Sequence, residues 1–167
     1  MNLRTLSWCA CGLFACKSGE ETAPTKTIAS HSAGSEASTI FGEIVTRLEQ
    51  YKMENGGYPP SIGESTLHPA RPTEAKQSLL PLPPSWEAVR LRFSDPAEVY
   101  CGYTWVTGLP GSGANVGPQG TSFGFTPPPM SWYYVLARCD LDGNGAVDSY
   151  YFTSSVDPTV RARDEGR

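Results

Sequence analysis

The sequence predicts an α+β fold, with one amphipathic helix followed by short strands. Two patterns predict it. Phe41, Ile44, Val45, Leu48 and Tyr51 recur at three- and four-residue spacing opposite Glu43, Arg47, Glu49, Gln50 and Glu54, the stripe of a helix with one buried face. Later in the chain that period is lost, and short runs rich in Tyr, Trp, Val and Thr stand between glycine and proline clusters, as strands stand between turns.

In chain order, Met1 to Arg4 forms a short basic region and Thr5 to Ala15 is mostly apolar, well short of the ~20 residues that a spanning helix needs. This is the pattern of an export signal. The stretch ends in Leu13-Phe14-Ala15-Cys16, which resembles a bacterial lipobox, whose cysteine is acylated on its thiol and becomes the new N-terminus. The resemblance implies that Cys16 is a lipid anchor, with ordinary secretory cleavage, or a mis-called start or plain disordered tail, as the alternatives. Residues 17–35 are Ser, Thr, Ala, Gly, Glu and Lys with little to bury, which reads as a flexible tether.

The helix is expected from about Glu36 to Asn55, capped by Ser35 or Ser38 and closed by Asn55-Gly56-Gly57. Tyr58-Pro59-Pro60 cannot continue it. Residues 61–85 form a proline-punctuated connection with at most a short helical turn around Glu74 to Leu80. Candidate strands are Leu91-Arg92-Phe93, Val99 to Val106, Ser131 to Arg138 and Val147 to Thr153. Gly108 to Pro129 lacks the Gly-Lys-Ser/Thr end of a phosphate loop and reads as a long surface loop. Asp140-Leu141-Asp142-Gly143-Asn144-Gly145 is turn-forming and suits a hairpin between the last two strands. The expected organisation is therefore a signal and lipobox over 1–16, a tether over 17–35 and one globular domain over 36–167.

Five cysteines divide into three in the targeting segment and two, Cys101 and Cys139, in the body. Both body cysteines sit in aromatic, strand-like runs, so a cross-strand or strand-to-loop disulfide fits an exported chain, and two buried free thiols would fit a cytosolic one. Neither has a second cysteine or a histidine at zinc-ligand spacing. His31 and His68 lie in polar or proline-rich segments and read as solvated loop residues.

A net charge of −4 with no basic stripe speaks against nucleic acid as a partner. No Gly-x-Ser-x-Gly run is present, no triad can be nominated, and no dinucleotide or zinc fingerprint stands out, so the chain reads as non-catalytic with no small-molecule substrate identified. One constellation has possible chemistry. Asp140, Asp142, Asn144, Gly145 and Asp148 fall at places one, three, five, six and nine of the loop pattern that surrounds calcium with oxygen ligands, although Tyr151 stands where the bidentate glutamate belongs. A plain hairpin turn is the leading reading of this loop. A weak structural calcium site on Asp140, Asp142, Asn144 and Asp148 is the other.

Two stretches carry a family resemblance. Leu48 to Ser61, "LEQYKMENGGYPPS", looks like the helix end of type IV pilins and type II secretion pseudopilins, where a Tyr-Lys-x-x-Asn-Gly-x-Tyr-Pro run leads off the long helix. Trp132 to Ser155, "WYYVLARCDLDGNGAVDSYYFTSS", is similar to the strand, acidic turn and returning strand of pilin-like proteins. The resemblance implies one amphipathic N-terminal helix packed on a small antiparallel sheet, a disulfide-linked C-terminal region and calcium sites of the kind found in related pseudopilin heads. It also implies a role in pilus or secretion machinery. The chain departs from the family in one respect: no long hydrophobic helix with a glutamate near its start precedes Glu36.

The expected function is that of a lipid-anchored protein of the bacterial cell envelope, or a secreted one, whose pilin-like head contacts envelope proteins of pilus or secretion type. The alternatives are a divergent pilin or pseudopilin filament subunit and a calcium-dependent binding module.

Overall fold

The computed structural model describes residues 23–164 except residue 148, with side chains described from residue 32 onward, and its architecture is α+β. Cys16, the expected signal over 1–16 and the start of the expected tether lie outside the described residues, as does Asp148. A long helix, α1 (Ala23–Asn55), is followed by a two-stranded sheet of β1 (Gln77–Ser78) and β2 (Glu98–Val99) with a short helix, α2 (Pro84–Ala88), between them. A four-stranded antiparallel sheet follows, built from β3 (Cys101–Gly108), β4 (Trp132–Cys139), β5 (Ser149–Ser154) and β6 (Arg161–Arg163) in that order, with a third helix, α3 (Pro118–Ser122), between β3 and β4.

α1 ends where the sequence predicts and begins earlier. Gly56 takes φ 77° and donates its N–H to the Lys52 carbonyl, closing the helix with the left-handed residue that glycine adopts without strain. At the other end the helix starts at Ala23 instead of near Glu36, so the expected tether is helical from Ala23 onward. Two causes are visible. Pro24 stands in the first turn, where a helix tolerates proline, and Ala33 and Ala37 are fully buried on the same side as Ile40, Phe41, Ile44 and Leu48. Ser38 and Thr39 turn their hydroxyls onto the carbonyls of Gly34 and Ser35, so these polar residues do not compete with the helix for its backbone donors.

β4 is the centre of the molecule, paired with β3 from Gly108↔Trp132 to Cys101↔Cys139 and with β5 from Tyr134↔Ser154 to Cys139↔Ser149. Tyr133, Val135, Ala137 and Cys139 share a core with α1, where Phe41 meets Tyr103 edge-on at 6.1 Å. Trp132, Tyr134 and Leu136 point the other way, into a second cluster with Val106, Phe125 and Phe152. A strand buried on both faces needs apolar residues at consecutive positions, which explains why Trp132 to Ala137 shows no alternation. The loop from Leu109 to Met130 reads as a surface loop in sequence, yet it contains α3 and supplies Phe125 to that second cluster.

One local expectation is corrected. Leu91-Arg92-Phe93 is not a strand: Leu91 is fully buried, its N–H bonds the Trp86 carbonyl, and the segment closes off α2 instead of pairing with a neighbour. No helical turn forms at Glu74 to Leu80, where Gln77 and Ser78 pair with Val99 and Glu98. The turn of helix lies further on, at Pro84, where a prolyl residue in the first turn costs no hydrogen bond. The buried stripe on α1 makes a quantitative demand. Leu48 is fully buried, so Leu48→Ala should lower unfolding free energy by about 2–5 kcal/mol in a denaturant titration.

Candidate functional site

Of the sequence-predicted site residues, Cys101, Cys139, Asp140, Asp142 and Asn144 lie at one end of β4, while Cys16 and Asp148 lie outside the described residues. Cys101 and Cys139 form a disulfide with Cα atoms 4.3 Å apart, directly opposite in register, so the cross-strand alternative is the one realised. A bridge spanning 38 positions restricts the unfolded chain by about 4 kcal/mol in the chain-entropy treatment. The next residue, Asp140, opens the acidic turn that leads to β5.

In that turn Gly143 and Gly145 adopt φ 70° and 83°, the left-handed region in which a side chain would be strained. The turn's polar side chains mostly satisfy its own backbone. Gly145 N–H donates to Asp140 Oδ2 at 2.9 Å, Asn144 N–H to Asp142 Oδ1 at 3.2 Å, and Ala146 N–H to Asn144 Oδ1 at 2.7 Å. Asn144 Nδ2 donates to Asp142 Oδ2 at 2.9 Å. One atom stands apart: Asp140 is 4% exposed, and its Oδ1 is buried with no hydrogen-bond donor among the described residues. Asp142 and Asn144 are exposed. Among the described residues no group of three or more His, Cys, Asp or Glu side chains is placed to hold a metal ion.

Beside the turn lies an open cavity of about 710 Å³ lined by Leu67, Arg71, Glu74, Arg138, Asp140 and Val147 among others. Glu74 reaches the turn itself, close enough that a Cβ on Gly143 would lie 2.9 Å from its carboxyl carbon. Nothing in the local sequence marks Glu74, because its neighbour in space is far away along the chain.

The helix-exit motif also folds into one unit. Tyr58 donates its hydroxyl hydrogen to Glu49 Oε1 at 2.7 Å, Lys52 Nζ donates to the Tyr58 hydroxyl at 3.2 Å and sits 4.5 Å from its ring, and that ring meets Tyr133 edge-on at 5.1 Å. Burial, with the Glu49 carboxylate second, raises the Tyr58 hydroxyl well above the usual tyrosine range. The motif thus fixes the chain leaving α1 onto the face of β4. His68 is no free loop residue: its ring nitrogen Nε2 lies 2.8 Å from the Leu79 carbonyl, its ring packs on Trp86, and its backbone pairs with Tyr103. The His31 side chain lies outside those described.

Two half-buried carboxylates escape sequence reading altogether. Glu36 accepts from Tyr100 N–H at 3.0 Å on both oxygens, from Cys101 N–H at 3.2 Å and from the Tyr103 hydroxyl at 2.7 Å. Glu64 accepts from Gln119 N–H, Gly120 N–H and the Tyr134 hydroxyl at 2.9, 2.7 and 2.8 Å. Each stands in for a missing strand or helix partner, holding backbone donors that the fold leaves unpaired. Their partners lie 55 or more positions away, so no local pattern announces them.

Comparison of the chain with protein-family models, with curated proteins and with solved structures finds no match. The functional reading rests on the residues themselves.

Glu36 offers a pH test of this geometry. Desolvation by burial raises its carboxyl above the ordinary glutamate range, against the opposing pull of Tyr103, Tyr100, Cys101 and Lys76. A folded-state value above the unfolded one gives a contribution that is fully present below the unfolded pKa and lost as pH rises through the folded one. The stability of the wild type relative to Glu36→Gln should therefore fall as pH is raised from about 4 to 7 in parallel urea titrations. A difference that is flat or rises over that range contradicts the assignment.

Proposed function

We propose that the chain is an exported lipoprotein whose pilin-like head is a non-catalytic interaction protein of the cell envelope, serving pilus or secretion machinery. The observation that carries this reading is the helix-exit motif, in which Glu49, Lys52 and Tyr58 lock the end of a long helix onto Tyr133 of a four-stranded antiparallel sheet. The residues Leu48 to Ser61 that resemble the pilin motif are the ones that make this junction. The lipobox-like Leu13-Phe14-Ala15-Cys16 supplies the anchor in this reading, through a thioether-linked lipid on Cys16. In cell fractionation the wild type should sediment with membranes and its mature N-terminus should be a modified Cys16 by mass spectrometry, whereas Cys16→Ala should leave the membrane fraction or fail to mature. Unchanged fractionation together with an unmodified Met1 would refute the anchor.

A second reading concerns the acidic turn, which we propose as a weak structural calcium site on Asp140, Asp142, Asn144 and Asp148. The buried, donor-less Oδ1 of Asp140 favours it, because an orphaned carboxylate oxygen costs about 1–3 kcal/mol or more unless a proton or cation meets it. Bound calcium would supply that partner and offset the repulsion among the carboxylates. Calcium at tenfold excess over its dissociation constant should add ~1.4 kcal/mol and raise the melting temperature by a few degrees over a chelator-treated sample. Asp142→Ala should abolish the increment. Superimposable melting curves with and without calcium leave the loop a hairpin turn.

A further inference from the structure

The two edges of the four-stranded sheet are treated differently. On the β3 side, His68 exchanges backbone hydrogen bonds with Tyr103 at 2.9 Å in both directions, and Gly102 lies tight against the Pro69 carbonyl and Leu67. That edge is closed. On the β6 side, Arg161 to Arg163 pair inward with Phe152 to Tyr150, and among the described residues no backbone group pairs with the outer side.

The open edge has two chemically distinct faces. Arg161 and Arg163 lie on the face of the second cluster, where the guanidinium of Arg163 is 5.0 Å from the ring centre of Phe123 and 4.9 Å from that of Tyr150. Arg161 is 5.2 Å from the centre of Phe152. Arg138, two strands inward and in line with Tyr150 and Arg163, stacks on Tyr150 from the other side. Ala162 and Val160 lie on the opposite face, both exposed, and Val156 beyond the end of β5 is exposed as well.

Charges on an edge strand ordinarily deter pairing with any other chain. Here they are held over aromatic rings, Arg163 also by Gln119, and lose little further freedom when a partner arrives, so they select the sign of the partner. Asp157 and Asp164 oppose them, at 3.7 Å from Arg161 and 3.2 Å from Arg163, but both pairs are half-exposed and therefore weak. Arg163 also donates to Gln119 Oε1 at 2.6 Å, which fixes the direction of its guanidinium.

We propose that β6 is a docking edge for an extended, acidic segment of a partner protein, which adds as a further strand of the sheet. Its carboxylates, two residues apart, would meet Arg161 and Arg163, and its intervening aliphatic side chains would cover Val160 and Ala162. The proposal goes beyond the envelope reading and does not depend on the lipid anchor.

The test uses the full chain and a fluorescein-labelled peptide of alternating Glu and Val, with the Lys–Val peptide as control. Fluorescence anisotropy should show binding of the Glu–Val peptide only, weakened by salt, and roughly tenfold weaker for Arg161→Gln/Arg163→Gln. Hydrogen exchange on the wild type provides a readout that no variant can confound: the amides of residues 160–163 should slow when the Glu–Val peptide is present. Equal binding of the Lys–Val peptide, exchange unchanged at 160–163, or displacement of the peptide by millimolar inorganic phosphate would each overturn the proposal. Concentration-dependent self-association that the peptide fails to disrupt would also overturn it, by assigning the edge to a second copy of the chain.

Discussion

The rest of the structure depends on burying β4 on both faces. A strand with Trp132, Tyr134 and Leu136 on one side and Tyr133, Val135 and Ala137 on the other cannot be stable until both faces are covered. α1 covers one, and the Leu109–Met130 loop with Phe125 covers the other. This constraint accounts for the length of that loop and for its aromatic content. It also accounts for the Glu64 carboxylate, which holds the Gln119 and Gly120 amides of α3 and the Tyr134 hydroxyl together. Without a fixed lid, the second face of β4 would be an apolar surface open to water.

The same constraint explains why half-buried, multiply bonded carboxylates recur at the ends of elements. Glu36 lies on α1 and accepts from the backbone where β2 gives way to β3, so one side chain fixes the helix axially against the sheet. Several donors at once offset part of the cost of desolvating the carboxylate, including two backbone amides that would otherwise be orphaned. The disulfide then clamps the same end of β3 to β4. Covalent and electrostatic ties converge there, at the end of β3 that pairs with the last residues of β4.

Much of this was legible in the sequence where the cause is local. The stripe Phe41, Ile44, Leu48 and the stop at Gly56 are read from spacing and from glycine's access to positive φ, and both hold in the structure. Cys101 and Cys139 were recognisable as a pair because the body of the chain has no others. What escaped has non-local causes. Leu91 and Phe93 look like a strand because alternating apolar residues do, but they pack on and beside Trp86 without a strand partner. β6 is a short Arg-Ala-Arg run whose strand character comes entirely from pairing with β5 and from stacking on Phe123, Tyr150 and Phe152. Its period and composition carry no such signal. The early start of α1 was hidden for the opposite reason: Ala33 and Ala37 are too small to stand out in a periodicity count, yet they fill positions where the helix comes close to its neighbours.

The last residues of β4 show how one strand serves three neighbourhoods at once. Arg138 turns to the second face and stacks on Tyr150, donating to the Glu64 carbonyl at 3.2 Å. Cys139 turns to the helix side and is bonded to Cys101. Asp140 leaves the strand, is buried, and holds the Gly145 amide across the turn. The base of the turn is therefore rigid, set by a disulfide on one residue and burial on the next, while Asp142 and Asn144 at its tip stand in water. Such an arrangement confines any rearrangement of the tip to the segment between Asp140 and β5. A change at the tip can alter how Ser149 enters β5 opposite Cys139, but it cannot shift the register of β4 against β3, which the covalent bridge fixes. The β6 edge lies one strand beyond β5, so the turn and that edge are joined through β5, whose entry the disulfide does not hold.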